Sequence, residues 1–317
     1  MAVFTEVSFD TAAQLFSDLR LGTLNSLTGC EGGIENTNYF ASSDQGDYVL
    51  TLFERLSTEQ LPFYLHLMKH LAQRGIPVPD PQANAQGDIL LTVLGKPAAV
   101  VNKLKGKSQL QPTAGHCIAV GTMLARMHLA GRDYGRTQPN LRALPWWNAT
   151  LPVVLPYLSP AQAALASAEL AYQNHLHASS AYAALPRGPV HADLFRDNVM
   201  FEGDTLTGFF DFYFAGVDTW LFDIAVGLND WCTDLPTGQR DTQREAAFVQ
   251  GYQSVRLLSQ AEHALLPGML RAAALRFWTS RLWDFHLPRD AAVLTAHDPM
   301  HFERILRART RFMPCAA

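Results

Sequence analysis

The chain has 317 residues, more than one compact core usually holds, so two lobes are expected. At 48% apolar and 17% charged residues it is a well-cored globular protein and not a disordered one, and a net charge of −4 gives no electrostatic basis for binding nucleic acid. Residues 1–101 carry 11 acids and 5 bases, residues 102–317 carry 18 and 20, and that shift marks a boundary near residue 101.

The N-terminus has early acids and no basic-then-apolar pattern, so no signal peptide is expected. Asp10 is positioned to cap a helix over 10–21 that Gly22 ends. The Gly/Asn-rich stretch 27–48 predicts strand, glycine loop, strand and a turn at 45–47, with a further strand over 48–53. Backbone amides at Gly32 and Gly33 of such a loop can approach phosphate. Ser57-Thr58-Glu59-Gln60 matches a capping box, and Leu61, Leu65, Met68 and Leu71 follow at helical spacing. Gly75 closes that helix, and Ile76-Pro77-Val78-Pro79 forces extended chain. Strands are expected at 88–93 and 97–101. The connector 102–106, Asn102-Lys103-Leu104-Lys105-Gly106, divides a lobe over 1–101 from one over 107–317.

A helix is expected over 112–131, then a Pro/Trp/Asn-rich connection containing Trp146-Trp147, then a helix over 160–185. The longest uncharged run, 143–168, is interrupted by Pro145, Pro152, Pro156 and Pro160, so it does not read as a membrane span. Further helices are expected near 220–231, 240–257, 259–287 and 301–312. Cys30, Cys117, Cys232 and Cys315 are widely spaced with no Cys-x-x-Cys, which argues against zinc ribbons and reads as reduced thiols in a soluble cytoplasmic protein. Strands first and helices after give an α+β class with a small β-rich lobe and a larger helical one.

The chemistry concentrates in 189–215. His191-Ala192-Asp193 is followed by Asn198; a turn at 202–204 and an apolar strand over 206–210 then deliver Asp211. A carboxylate inside Phe209-Phe210-Asp211-Phe212-Tyr213-Phe214 is costly to bury unless a partner or a metal satisfies it. Phosphoryl transfer needs a carboxylate beside the attacking hydroxyl and hard oxygen ligands for Mg²⁺, and Asp193 with Asn198 and Asp211 forms such a set.

His-x-Asp-x-x-x-x-Asn, a strand leading to an Asp, and Asp223-Ile224-Ala225 together resemble the aminoglycoside phosphotransferase and choline kinase group of protein-kinase-like enzymes. The likeness extends to the helix Val120–His128 and to Gln73–Pro79. The chain is more similar still to the bacterial homoserine kinases of this fold, through Val3-Phe4-Thr5, the segments 32–40 and 48–54, and Phe195-Arg196-Asp197-Asn198-Val199. This resemblance implies a bilobal kinase-like fold and ATP-dependent phosphorylation of the L-homoserine hydroxyl in threonine biosynthesis, with Mg²⁺ as cofactor and no nucleic-acid or membrane partner. It implies Asp193 as catalytic base, Asn198 and Asp211 as metal ligands, and His191 and Asp223 as supports of the loop. Backbone groups of Asn102 to Leu104 would meet adenine, and Gly32 and Gly33 the phosphates. The Lys that relatives carry on the strand at 48–53 is replaced by Thr51, and its acidic partner by Tyr64. A homoserine site also needs a cation for the α-carboxylate; the helix over 259–287 offers Arg271, Arg276 and Arg281, with Arg281 and Asp284 spaced to share a face. The competing readings are a kinase for choline, an aminoglycoside or another amino alcohol, and a non-catalytic nucleotide-binding protein.

Overall fold

The computed structural model describes residues 5–30, 36–287 and 297–311, which form two compact units. The first contains residues 1–106 and 207–210, and the second 107–206 and 211–317. Gly32 and Gly33 lie outside the described residues, as do Val3 and Phe4.

The first unit is built on helix α1 (Phe9–Asp18), strands β1 (Leu24–Gly29), β2 (Asn36–Ser43) and β3 (Gly46–Phe53), helix α2 (Leu61–Gln73), and strands β4 (Leu91–Val93) and β5 (Lys96–Asn102). The strands pair antiparallel in the order β1-β2-β3-β5-β4. Phe16 and Ala12 of α1 are buried with Leu50, Leu52, Ala98 and Val100, so one face of the sheet is closed by this helix. Three local expectations are corrected here. Ser8, not Asp10, caps α1, because its hydroxyl accepts from Thr11 N while Asp10 already lies in the first turn. At the start of α2 only half of the capping box forms. The Gln60 side chain accepts from Ser57 N at 3.1 Å, while Gln60 is the cap and makes no side-chain cap bond. The strand expected over 88–93 is confined to Leu91–Val93. Residues 102–106 group with this unit. So do 207–210, where Phe209 N donates to Pro77 O and Thr207 Oγ1 to Lys105 O.

The second unit begins with β6 (Lys107–Ser108) and helix α3 (Ala114–Ala130), followed by α4 (Leu144–Val154), α5 (Pro160–His177) and α6 (Ser180–Ala183). Strands β7 (Arg187–Val190), β8 (Val199–Glu202), β9 (Thr205–Phe209, of which 207–209 group with the first unit) and β10 (Gly216–Thr219) lead to α7 (Trp220–Trp231), α8 (Thr242–Gln253), α9 (Gln260–His286) and α10 (Met300–Arg311). The connection holding Trp146-Trp147 is in fact α4, with Pro145 in its first turn, where a missing N–H costs nothing, and Trp147 buried. The helix expected over 160–185 stops at His177, and Ser179 caps the short α6. Every residue of α7 is buried, as for a helix at the centre of a core. It packs against α9, α3 and α8.

Helices α3 and α8 approach so closely that a side chain at either of two glycines would strike the opposite backbone. A Cβ on Gly121 would lie 2.1 Å from Phe248 O, and one on Gly251 2.2 Å from Ile118 O. Helix propensity alone favours Ala over Gly by about 1 kcal/mol, whereas overpacking against fixed backbone costs about 1–3 kcal/mol or more. Gly121→Ala is therefore expected to lower the urea midpoint of unfolding; an unchanged or raised midpoint would show that the two helices can separate at little cost.

Candidate active site

Strand β7 ends at Val190, and the loop that follows is held by α7. Asp223, on the first turn of α7, is fully buried. Its Oδ2 accepts from His191 N and its Oδ1 from Ala192 N, each at 2.8 Å. Those two bonds secure a residue that would otherwise relax, since Ala192 sits at φ 62°, a left-handed conformation unfavourable for a residue with a Cβ. A third bond to Asp223 Oδ2 comes from His128 Nε2 on α3, at 3.1 Å. Burial alone would raise the Asp223 carboxyl, yet the bonds from His128 and the loop hold it below its ordinary value. His128 is itself pushed down by burial, so the ring is neutral with its proton on Nε2. Nδ1 then accepts from Tyr252 on α8, 2.9 Å away, whose hydroxyl is kept protonated by burial. Arg256 extends the chain, donating to Tyr252 Oη at 3.3 Å and to Glu262 Oε1 at 2.7 Å. The family resemblance anticipates Asp223 as a support of the loop, whereas the relay through His128, Tyr252, Arg256 and Glu262 rests on contacts between distant segments that the sequence does not show.

The rest of the loop is fixed from its other side. His191 is buried, its Nδ1 accepts from Asp193 N at 3.3 Å, and its ring lies against Phe212. The Trp231 indole donates to Leu194 O, and the buried Arg196 is paired with Asp230 and with the carbonyls of Leu110, Asp230 and Thr233. Ser108 on β6 donates to Asp197 O, while the Asp197 side chain is exposed.

Asp193 is half-buried, and Asn198 Nδ2 donates to its backbone O at 2.9 Å and to its Oδ2 at 3.4 Å. Burial raises the Asp193 carboxyl to about 7; the positive charge of Arg276 opposes this, and Asp211, Asp197 and Asp230 add to it. Asp211 therefore lies within electrostatic reach of Asp193. It is not a plain strand end. Beyond β9 the chain turns at Asp211 (φ 67°, ψ 59°), which caps the short 3₁₀ turn Phe212–Phe214. Asp is among the few residues that tolerate this conformation.

Asn198 turns its amide nitrogen toward Asp193, which directs its Oδ1 away from that carboxylate. An amide oxygen and one carboxylate form a sparse, hard donor set, and this fits Mg²⁺, which keeps several of its waters. Among the described residues no group of three or more His, Cys, Asp or Glu could hold a metal, so a ligand-rich zinc-type site is not what this loop presents.

Three arginines of α9 meet different fates. Arg271 is a structural residue, bonded to buried Glu169 at 2.6 Å and 2.9 Å. Arg281 donates through Nη1 to Asp298 O at 3.1 Å and lies over the Phe302 ring. The buried Arg276 lies 3.7 Å from the Phe277 ring centroid and 5.0 Å from that of Phe214. Phe277 in turn meets Phe195 of the loop at 4.5 Å.

In the first unit Thr51 is buried and donates to Asn38 Oδ1 at 2.7 Å, and Tyr64 is buried on α2. No ammonium stands at that position of β3. Asn102 N and Lys103 N are bonded to Asp80 O and Asp47 O, and the Lys103 ammonium lies 4.3 Å from the Phe40 ring centroid.

Comparison with known proteins places these features in a family. Residues 26–258 match the model of the phosphotransferase enzyme family. The chain is 68% identical to a homoserine kinase of Polaromonas naphthalenivorans, over 98% of each chain. It is 57% identical to a homoserine kinase of Janthinobacterium sp., over 98% of this chain and 96% of that one. Among solved structures, amicoumacin kinase in complex with AMP-PNP and Ca²⁺ superimposes with a TM-score of 0.68 at 18% identity, over 96% of this chain and 93% of that one. A microcompartment-associated aminopropanol kinase gives 0.63 at 16%, over 96% and 94%. The fold is thus the α+β, protein-kinase-like one, and the chain belongs to the phosphotransferase enzyme family.

Proposed function

We propose that the protein is an ATP-dependent homoserine kinase, transferring a phosphoryl group to the side-chain hydroxyl of L-homoserine to give O-phospho-L-homoserine in threonine biosynthesis, as a soluble cytoplasmic enzyme. Among the described residues no helix is long and apolar enough to cross a membrane. The observation that carries the chemistry is Asp193, a half-buried carboxylate raised to about 7 on a loop that Asp223 holds from behind.

Asp193 is the general base in this reading. It accepts the proton of the attacking hydroxyl on a carboxylate whose Oδ2 is steadied by Asn198 Nδ2. A base poised near the working pH combines a usable deprotonated fraction with real proton affinity. Asn198 and Asp211 would hold the magnesium ion, which supplies neutralisation of phosphate charge when bound. Asp223 and His191 are positioning residues. The connector takes adenine; because Asn102 N and Lys103 N are already bonded, Leu104 is the donor assigned to that role. The backbone at Gly32 and Gly33 is assigned to the phosphates, with Thr51 standing where relatives carry a lysine. A quaternary ammonium substrate such as choline fits less well. The Phe277 ring, which meets Phe195 of the loop, is covered by a guanidinium and not left open as a cage.

Steady-state ATP turnover against L-homoserine, choline, ethanolamine, L-serine and an aminoglycoside tests the reading. L-Homoserine should give the highest kcat/KM, and choline turnover without homoserine turnover would sink it. Asp193→Asn is expected to lower kcat by about 10²–10⁴-fold while ATP still binds by calorimetry.

The same substitution should move stability in a pH-dependent way. The native carboxyl titrates near 7 against an ordinary 3.8, so between those values the native state holds a proton that the unfolded chain has lost. Stability thus falls as pH rises through this window. Asp193→Asn should raise Tm at pH 8 and change it little at pH 4; an equal shift at both values would show that Asp193 is not raised. Asp223→Ala strands three buried donors, each worth about 1–3 kcal/mol when left unmade. A large drop in the urea midpoint is expected together with loss of turnover, and a midpoint within error of the native one would refute the brace.

A further inference from the structure

Arg276 is a buried cation whose bonding is incomplete. It is 3% exposed, and among the described residues its Nε and Nη2 have no hydrogen-bond partner. Those two nitrogens share one edge of the guanidinium, the edge that meets a carboxylate with two parallel bonds. A buried donor left unmade is unfavourable, and native proteins keep few of them without a ligand to explain it. One turn on, along the same helix face, the buried Thr279 Oγ1 is in the same condition.

The surroundings of Arg276 place its guanidinium beside the loop that carries Asp193. Its guanidinium lies over Phe277, which meets Phe195 between Asp193 and Asn198, and near Phe214, three residues past Asp211. Its charge acts on Asp193, and the charges of Asp193, Asp284, Arg142 and Arg281 act on it. Burial lowers its pKa to about 10, which leaves it cationic at neutral pH. Of the other arginines nearby, Arg271 is paired with Glu169 and Arg196 with Asp230, Arg142 lies over the Trp146 ring, and Arg281 donates through Nη1 to Asp298 O.

We propose that Arg276 binds the α-carboxylate of the substrate amino acid through its Nε–Nη2 edge, and thereby selects an amino acid over the amino alcohol that lacks the carboxylate. This deepens the homoserine reading and rests on it. Arg276, and not the Arg281 and Asp284 pair suggested by spacing, is then the residue that fixes substrate orientation relative to Asp193.

The test uses the full chain and two acceptors, L-homoserine and 3-aminopropan-1-ol, which is the same skeleton without the carboxylate. The wild-type protein should prefer L-homoserine. Arg276→Met should reduce that preference, as the ratio of the two kcat/KM values, by about 10²-fold, the scale of a lost charge-assisted pair. Arg276→Lys restores charge without the fork and should recover only part of it. Melting curves give a second readout: L-homoserine should raise Tm of the wild type and not of Arg276→Met, whose own fold the same curves verify. An unchanged preference in Arg276→Met overturns the assignment. So does an equal loss for both acceptors, which would place Arg276 on the phosphoryl group or in the structure alone. Failure of the homoserine reading itself is seen separately, in the wild type, as turnover of 3-aminopropan-1-ol without turnover of L-homoserine.

Discussion

Two amide protons, those of His191 and Ala192, end on one buried carboxylate, Asp223, and the candidate site depends on that contact. The carboxylate is ionised in a place where burial opposes ionisation, so it needs donors, and the loop needs an acceptor to keep Ala192 left-handed. Each need satisfies the other. From Asp223 the support runs through His128 and Tyr252 to Arg256 and Glu262, joining α3, α7, α8 and α9. The close crossing of α3 and α8 at Gly121 and Gly251 is what allows His128 and Tyr252 to meet. A packing detail in the helical core is thereby coupled to the orientation of Asp193.

The loop and its neighbours concentrate features that work against stability. Ala192 and Asp211 are left-handed, Asp193 is raised by burial and by three neighbouring acids, and Arg276 is buried with two unmade bonds. Strain and unmade bonds of this kind are kept where a ligand completes them. Ala192 and Asp211 carry the backbone strain, and Asp193 and Arg276 the burial of ionisable groups. The all-buried helix α7 and the aromatic cluster of Phe195, Phe277 and Phe302 offset the cost by fixing the surrounding backbone.

Much of this was legible in the chain before folding. Asp193, Asn198 and Asp211 stand out because the spacing is local, the residues sit on one loop and one hairpin, and a charge inside an aromatic run has few structural explanations. The strands of the first unit were legible for the same local reason. What went unread depends on contacts between distant segments or on caps one residue away. Helix α4 hid behind its prolines, one of which occupies a first-turn position that tolerates it. Asp10 drew attention from Ser8 because both are good caps and only the backbone path decides between them. On α9, three arginines look alike in sequence. Only the tertiary structure shows that Arg271 meets Glu169, that Arg281 meets Asp298, and that Arg276 is buried with an open edge.

The sequence by itself determined the class of fold, the position of the loop that carries the chemistry and the absence of a lysine at Thr51, because these are written in composition, period and short-range spacing. Tertiary structure alone decided the protonation and the partners. Whether a carboxylate is raised, as at Asp193, or lowered, as at Asp223, follows from how deeply it is buried and which donors reach it. Those donors come from residues far apart in the chain, with 95 positions separating His128 from Asp223. Chain spacing cannot encode such distances; only the packing of α3 on α7 and α8 sets them.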